Sequence, residues 1–507
     1  MGKRRLVVLG LDGADWEIIG ALVAAGSLPN LAKMMRAGSH ANLRSTIPPL
    51  TAPAWASMFT GVNPGKHGIF DFATLTEGKR RYTSGADRLV PYFWDLMHNE
   101  KILAYNIPCS YPVRASGNTT LVSGYCTPGP KSEFASPASV KEEILKLVPD
   151  YEFNHGAESD LVRAGVADAK KKVQAGIVRS LESRLKVSTH LLASREWDAA
   201  FVVFSETDWI QHYFMHEFVA AESKPETEVG RLYAPIDAFL GELLSRGYNV
   251  MVVSDHGFKL VKRMFFLNSV LIRDGFLHLK KGTRRHAMQS IGLTRDKIIS
   301  MLPRWLFYQI RKSEAFANLG RAMFPTKALM EGNVDFGRTE AYLFSNSGGM
   351  VLRDGARAED IMRHVLGAED ESGKRPVGNV YQRESIYSGE AVPKAPHLVA
   401  LSSGDNTLNV GLSARLSRPV DPKTELSGYH DQFGIFLSMG PDLESRGKME
   451  DLDLLDVAPT VMSFFGYPVP ALMDGKKIDV LKGGAPARDG LKSGTLLAIK
   501  RLAGRRK

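Results

Sequence analysis

The sequence predicts an α/β fold with a mostly parallel central sheet flanked by helices. Three short, apolar, β-branched runs carry that expectation: residues 5–11 (RLVVLGL), 199–204 (AAFVVF) and 249–253 (NVMVV). Each reads as a strand buried on both faces, and helical patterns separate them. Each also runs into acids: Asp12-Gly13 after the first, Ser205-Glu206-Thr207-Asp208 after the second, and Ser254-Asp255-His256-Gly257 after the third. The carboxyl ends of the strands are where open α/β sheets place chemistry.

In chain order, helices are expected at about 15–25 and 28–37. The stretch 44–72 (RSTIPPLTAPAWASMFTGVNPGKHGIFDF) holds Pro48, Pro49 and Pro53. Proline disfavours a helix before Thr51 but is tolerated in a first turn, so a helix is expected from about Pro53 to Phe59, with Thr51 at its mouth. There the hydroxyl faces unpaired N–H groups that favour an anion. A helix at 90–101 and a strand at 102–107 follow, then a Gly/Pro/Ser-rich loop over 123–139. Residues 140–195 are charged and helical in pattern, with a long stretch near 161–194. A helix is expected at 234–245, with Pro235 in its first turn. Residues 264–335 are basic and aromatic without a clear strand, and read as a helical insertion or cap. Strands return at 340–344, 349–352, 397–401 and 434–438. A helix at 454–465 closes the pattern, with Pro459 near its start. The expected organisation is one catalytic domain over 1–480, with insertions at about 127–195 and 264–335, and a basic tail over 481–507.

At 507 residues, 44% hydrophobic and 24% charged, the chain has the composition of a globular protein. A net charge of +10 suits an anionic partner such as a phosphate ester, a nucleic acid or a membrane surface. Cys109 and Cys126 are the only cysteines; a chain this long needs no staple, and both read as reduced and structural. The N-terminal apolar run is too short for a signal peptide and no stretch is long enough for a membrane span, so the expected location is cytoplasmic.

The chemistry-bearing residues are Asp12, Thr51, Asp208, His212, Asp255, His256 and His430. Asp208 and His212 are four apart, which on a helix puts both on one face, as two ligands of one metal require. Asp255 and His256 are adjacent and need an irregular turn to act together, which Gly257 permits. His430 is expected in a loop before the strand at 434–438. Mixed Asp and His ligands suit zinc or manganese better than calcium. Two such ions can clamp a displacement at phosphorus. Taken singly, each residue has an ordinary alternative as a cap, a turn or a solvated face; taken together, at strand ends and in this order, chance is a poor account.

The ordered segments LGLDG, TAPAWASMFTGVNPGKHGI, TDWIQH, VVSDHGF and SGYHDQFGIF, with DVAPTVMSFFGYPVPALMDGK near the end, resemble the type I phosphodiesterase and nucleotide pyrophosphatase family of the alkaline phosphatase superfamily. The resemblance runs from about residue 5 to 480. It implies two zinc sites: Asp12, Thr51, Asp255 and His256 around one ion, and Asp208, His212 and His430 around the other. It implies Thr51 as the nucleophile, a covalent phospho- or nucleotidyl-threonine, and release by water activated at the second ion. One position departs from the family: where the nucleotide pyrophosphatases carry an asparagine that contacts a phosphoryl oxygen, this chain has Phe72, so nucleotide specificity is not implied. There is no Cys-x-Pro-x-Arg signature, which argues against a sulfatase.

The expected activity is therefore metal-dependent hydrolysis of a phosphate ester, a small molecule or lipid-linked, with diesters favoured over monoesters. A phosphomonoesterase or phosphoryl mutase is the enzymatic alternative. A basic membrane- or nucleic-acid-binding protein without turnover is the alternative of another class, though no specific nucleic-acid partner is implied. The basic tail is a candidate for contact with anionic membrane.

Overall fold

A computed structural model describes residues 4–483 except 77–78, 115–116, 155–168, 281–333, 354 and 414. Most of the 264–335 segment and the tail from residue 484 therefore lie outside the described residues. The chain divides into two compact units. One comprises Met1–Val261, Arg383–Ala395 and Asp421–Lys507, and the other Lys262–Gln382 and Pro396–Val420.

The larger unit is built on a ten-stranded sheet. Its centre is Leu6–Leu11, paired in parallel with Ala199–Phe204 on one side and Asn249–Val253 on the other. Ile102–Ile107 and Thr119–Ser123 extend the parallel run beyond Ala199–Phe204. On the other flank Phe433–Met439 lies antiparallel between Asn249–Val253 and Ser39–Arg44. The expected mostly parallel sheet flanked by helices is what forms.

The three apolar runs are buried on both faces for a geometrical reason: successive strand side chains point to opposite sides. Val7, Leu9 and Leu11, with Val202 and Val252, enter one core. Leu6 and Val8, with Val203 and Val253, enter the other. Each fully buried side chain of this kind contributes about 1.5–3 kcal/mol, so the sheet centre is where the unit is most firmly held. The helices Ala138–Leu147 and Ala169–Ser194 pack into the first core through Val140, Ile144, Val173, Ile177 and Leu191. This part of the expected 127–195 insertion thus forms a layer on the sheet.

Several expected elements take a different form. The helix at 90–101 is only a 3₁₀ turn, Phe93–Leu96: Tyr92, Phe93, Trp94, Leu96 and Met97 are all buried, so apolar side chains surround this turn instead of lying along one stripe, and the exposed polar residues His98, Asn99 and Lys101 come only after it. The helix expected at 234–245 runs over Glu228–Ser245 with Pro235 in its interior, because Thr227 caps it by accepting from Gly230 N–H. Ser39–Arg44, Thr119–Ser123 and Val377–Gln382 are strands the sequence pattern did not single out.

The smaller unit carries a four-stranded antiparallel sheet in the order Ala341–Leu343, Gly349–Leu352, Leu398–Ser402, Val377–Gln382, and a three-stranded one centred on Arg263–Phe265. Its own apolar core includes Phe265, Leu271, Leu343, Met350 and Ile361. Among the described residues no single helix is long and apolar enough to cross a membrane.

Candidate active site

Thr51 is the first residue of the helix Thr51–Thr60, rather than preceding it. Pro53 fits because first-turn N–H groups have no partner within the helix. Asp12 follows the central strand, Asp208 lies in the first turn of Glu206–Ala220, and His212 follows one turn later. Asp255 and His256 occupy a bend after Asn249–Val253, as expected. Gly257 is needed for a different reason from the one expected: it lies in the strand Gly257–Leu260, and a Cβ there would sit 2.0 Å from the Phe433 carbonyl oxygen. It is close approach that demands glycine. His430 is in a strand, Gly428–Asp431, not a loop; antiparallel pairing opposite Phe258 carries it to the site.

All seven residues converge. Thr51 Oγ1 lies 3.3 Å from His256 Nε2. His256 Nε2 is also 3.5 Å from Asp12 Oδ1 and 3.3 Å from Asp255 Oδ2. In the neighbouring cluster, Asp208 Oδ1 is 3.2 Å from His430 Nε2 and 3.4 Å from His212 Nε2. The His256 and His430 rings stack at 3.9 Å, so the clusters abut. Among the described residues two buried groups have ligand atoms close enough to share an ion: Asp12, Asp255 and His256, and Asp208, His256 and His430. The first reproduces three members of an expected set; in the second, His256 stands beside Asp208 and His430, with His212 within 3.4 Å of both.

The donor set suits a divalent cation. All three histidines use Nδ1–H to donate to a backbone carbonyl: His212 to Gly428, His256 to Gly257 and His430 to Pro49. That tautomer leaves Nε2 with its lone pair turned towards the cluster. Among the described residues, Asp12 Oδ1, Asp208 Oδ1 and Asp255 Oδ2 are buried and meet no hydrogen-bond donor. Orphaned buried carboxylate oxygens are costly unless a cation meets them.

The electrostatics agree. Burial, reinforced by Asp255 and Asp208, pushes the Asp12 carboxyl well above its ordinary range. Burial likewise pushes Asp255 up to about 7, against the lowering effect of the Gly13 N–H. Burial alone would raise Asp208, but His212 and His430 outweigh it and hold that carboxyl below the ordinary value. Burial, then His430, push His256 well below the usual histidine range, so it is neutral.

Residues not singled out from the sequence hold this arrangement. Trp55 Nε1 donates to Asp12 Oδ2 at 3.3 Å, and Gly13 N donates to Asp255 Oδ1 at 3.1 Å. Thr207 Oγ1 donates to the Asp12 carbonyl. Gln211 Nε2 donates to Gly13 O and its Oε1 accepts from Tyr233. Trp55 had a signal: it is four residues after Thr51 and so lies on the same helix face. Phe72 packs beside Ala52, Ala56, Ile69 and Cys109, with its ring 5.6 Å from and edge-on to Tyr125. Its phenyl group offers no hydrogen-bond donor.

An alkaline-phosphatase-like core with acids and histidines gathered at the carboxyl ends of its parallel strands defines the class: this is a hydrolase acting on phosphoric esters. Residues 6–321 match the family model of the type I phosphodiesterases / nucleotide pyrophosphatases, and the chain belongs to that family. Among solved structures it is similar to phosphonoacetate hydrolase from Sinorhizobium meliloti 1021. In complex with phosphonoacetate that enzyme aligns with a TM-score of 0.55 at 16% identity, covering 90% of this chain and 94% of the other. Its complex with phosphonoformate gives 0.54 at the same identity and coverage. These likenesses bear on the fold. Murine ectonucleotide pyrophosphatase / phosphodiesterase 5 is a more distant match, with a TM-score of 0.48 at 14% identity over 90% of this chain and 94% of its own.

Proposed function

We propose that this chain is a metal-dependent phosphodiesterase in which Thr51 is the nucleophile. Two divalent ions, zinc or alternatively manganese, would be held by Asp12, Thr51, Asp255 and His256, and by Asp208, His212 and His430. The observation that carries the reading is the position of the Thr51 hydroxyl: it opens a helix and lies 3.3 Å from His256 Nε2, beside buried carboxylate oxygens that meet no hydrogen-bond donor among the described residues.

When bound, such ions lower the pKa of an attacking hydroxyl and neutralise charge on the phosphoryl group. The remaining work falls to the chain. The Thr51 hydroxyl gives up its proton as its oxygen bonds to phosphorus, and the ester oxygen leaves with its electron pair and takes up a proton. Water then adds to the threonyl phosphate, which still carries the second ester group, releasing the monoester and returning a proton to the Thr51 oxygen. At the helix start Pro53 has no N–H and Ala54 N–H already goes to Leu50 O, which leaves Ala52 N–H to meet a phosphoryl oxygen. Two divalent charges against three carboxylates and an ionised threonine sum to about zero, which favours a singly charged diester over a doubly charged monoester. In this reading residues 1–480 constitute the catalytic part, and the substrate is a small or lipid-linked phosphate ester.

The test compares parent and Thr51→Ala proteins on bis-p-nitrophenyl phosphate, p-nitrophenyl phosphate and phosphonoacetate, with metal content measured alongside. The expected result is faster turnover of the diester by the parent, and loss of turnover in the variant with its metal retained. Equal rates in variant and parent would remove Thr51 from the role.

A further inference from the structure

Five parallel strands end on the same side of the large sheet. Three of them deliver the metal-site residues. The other two, Ile102–Ile107 and Thr119–Ser123, end instead in a pair of thiols that the proposed reaction does not use. Cys109 and Cys126 are seventeen residues apart in sequence, yet their sulfurs lie 3.3 Å apart, with the Cys109 thiol donating to Cys126. The two backbones are tied on either side of the contact. Gly124 N–H donates to Ile107 O, and Cys109 N–H donates to Tyr125 O. Both cysteines hold left-handed backbone, with φ of 53° and 76°, a region non-glycine residues rarely occupy.

We propose that Cys109 and Cys126 are a reversible oxidative modification site that closes to a disulfide under hydrogen peroxide and adjusts the substrate-side wall of the active site. The balance is as follows. Cys126 is the more exposed of the two and meets the oxidant first: its thiol is converted to a sulfenic acid and the peroxide to water. The Cys109 thiol then attacks that sulfur, the S–S bond forms, and the hydroxyl leaves as a second water. In total two thiols lose two electrons and two protons to one peroxide. Closure requires the sulfurs to approach from 3.3 Å to about 2.0 Å, a movement of side-chain torsions on backbone already held in place.

The movement reaches the site through packing. Cys109 touches the cluster of Ala52 and Ala56 on the Thr51 helix, and Phe72 leans on the same cluster with Cys126. Tyr125, next to Cys126, bridges the rings of Phe72 and Trp209, and Trp209 follows Asp208. Drawing Cys126 inward therefore acts on the Phe72–Tyr125–Trp209 wall. The effect belongs in substrate binding, so KM should change more than kcat.

The experiment treats the full-length protein with a small excess of hydrogen peroxide, traps remaining thiols with iodoacetamide, and maps peptides with and without dithiothreitol. The expected result is a linked peptide joining Cys109 and Cys126, lighter by two hydrogens and released by the reductant. KM for bis-p-nitrophenyl phosphate should shift several-fold and return on reduction. Cys126→Ser should abolish both the linkage and the peroxide-dependent shift, so that its own KM is the same with and without peroxide. Both cysteines recovered alkylated, or each oxidised separately without a link, would overturn the proposal. So would a linked protein with unchanged KM, for the regulatory half. Because the linkage is read by mass, it stands or falls independently of the metals and of Thr51.

Discussion

The Nε2 atoms of His212 and His430 face each other at 3.2 Å, although each ring gives its Nδ1 proton to a backbone carbonyl. Two imidazole lone pairs and the Asp208 carboxylate therefore point into one small volume. Two acceptors repel at that distance unless a proton or a cation lies between them. The backbone carbonyls orient the rings, and a bound divalent ion would meet all three groups together.

Adding zinc to chelator-treated protein should therefore raise its thermal midpoint. At free metal 100 times Kd the gain is about 2.7 kcal/mol per site, provided the unfolded chain does not bind. His430→Ala should lose most of the gain attributable to one ion while leaving the other. Calorimetry with and without metal reads both.

Trp55→Phe tests whether support of Asp12 matters. The phenyl ring keeps the stack on Phe59, whose ring is 5.3 Å away, but loses the Nε1 donor to Asp12 Oδ2. Outer partners of metal ligands are worth about 10- to 100-fold in metal affinity or activity. Competition against a chromogenic chelator should show a loss of about tenfold in metal affinity, on top of a lower thermal midpoint of the metal-free protein from the smaller buried ring.

His67 gives the acid limb of stability. It is fully buried, its Nδ1 accepts from Ile69 N–H, and its Nε2 lies 2.8 Å from Ser57 Oγ. Burial, then Arg88, carry it down to about 3 from 6.5. The folded value is below the unfolded one, so the unfolded chain takes the proton first as pH falls. Stability is complete above the unfolded value and is lost as pH falls towards the folded one, at about 1.4 kcal/mol per pH unit for one proton. His67→Gln should flatten the dependence of unfolding free energy on pH in that window, as read by denaturant titrations at several pH values.

Arg184 and Glu206 are both fully buried, with Nε and Oε1 3.6 Å apart. Glu206 opens the helix that carries Asp208. Arg184→Met leaves the acid buried with the Ser180 hydroxyl still donating to it but without its opposite charge, a change that costs about 3–5 kcal/mol where the charge persists. Burial already pushes Glu206 up despite Arg184, so the acid can take a proton and the loss should fall near the lower end. Pairing the change with Glu206→Gln should restore most of it in urea unfolding.

The sequence was most legible where structure is local. The runs at 5–11, 199–204 and 249–253 could be placed because alternating faces were all apolar, and the acids after them could be placed because the chain leaves the sheet there. Asp208 and His212 paired by helical period. Residues 90–101 misled because Tyr92, Phe93, Trp94, Leu96 and Met97 are all buried, and an apolar cluster of that kind is compatible with several backbones. His430 could be suspected from its motif but not located, since it reaches Asp208 only through antiparallel pairing with Gly257–Leu260.

By itself, then, the sequence determined the fold class, the strand-end acids, the Thr51 helix start and the family. Those follow from contacts within a few residues and from ordered motifs. Tertiary structure alone decided which side chains share a volume. It set Trp55 against Asp12, turned three imidazole Nε2 atoms inward by giving their Nδ1 protons to carbonyls, and brought Cys109 to Cys126. These depend on register between distant segments, and no local pattern encodes the distance between two atoms whose residues are tens or hundreds of positions apart.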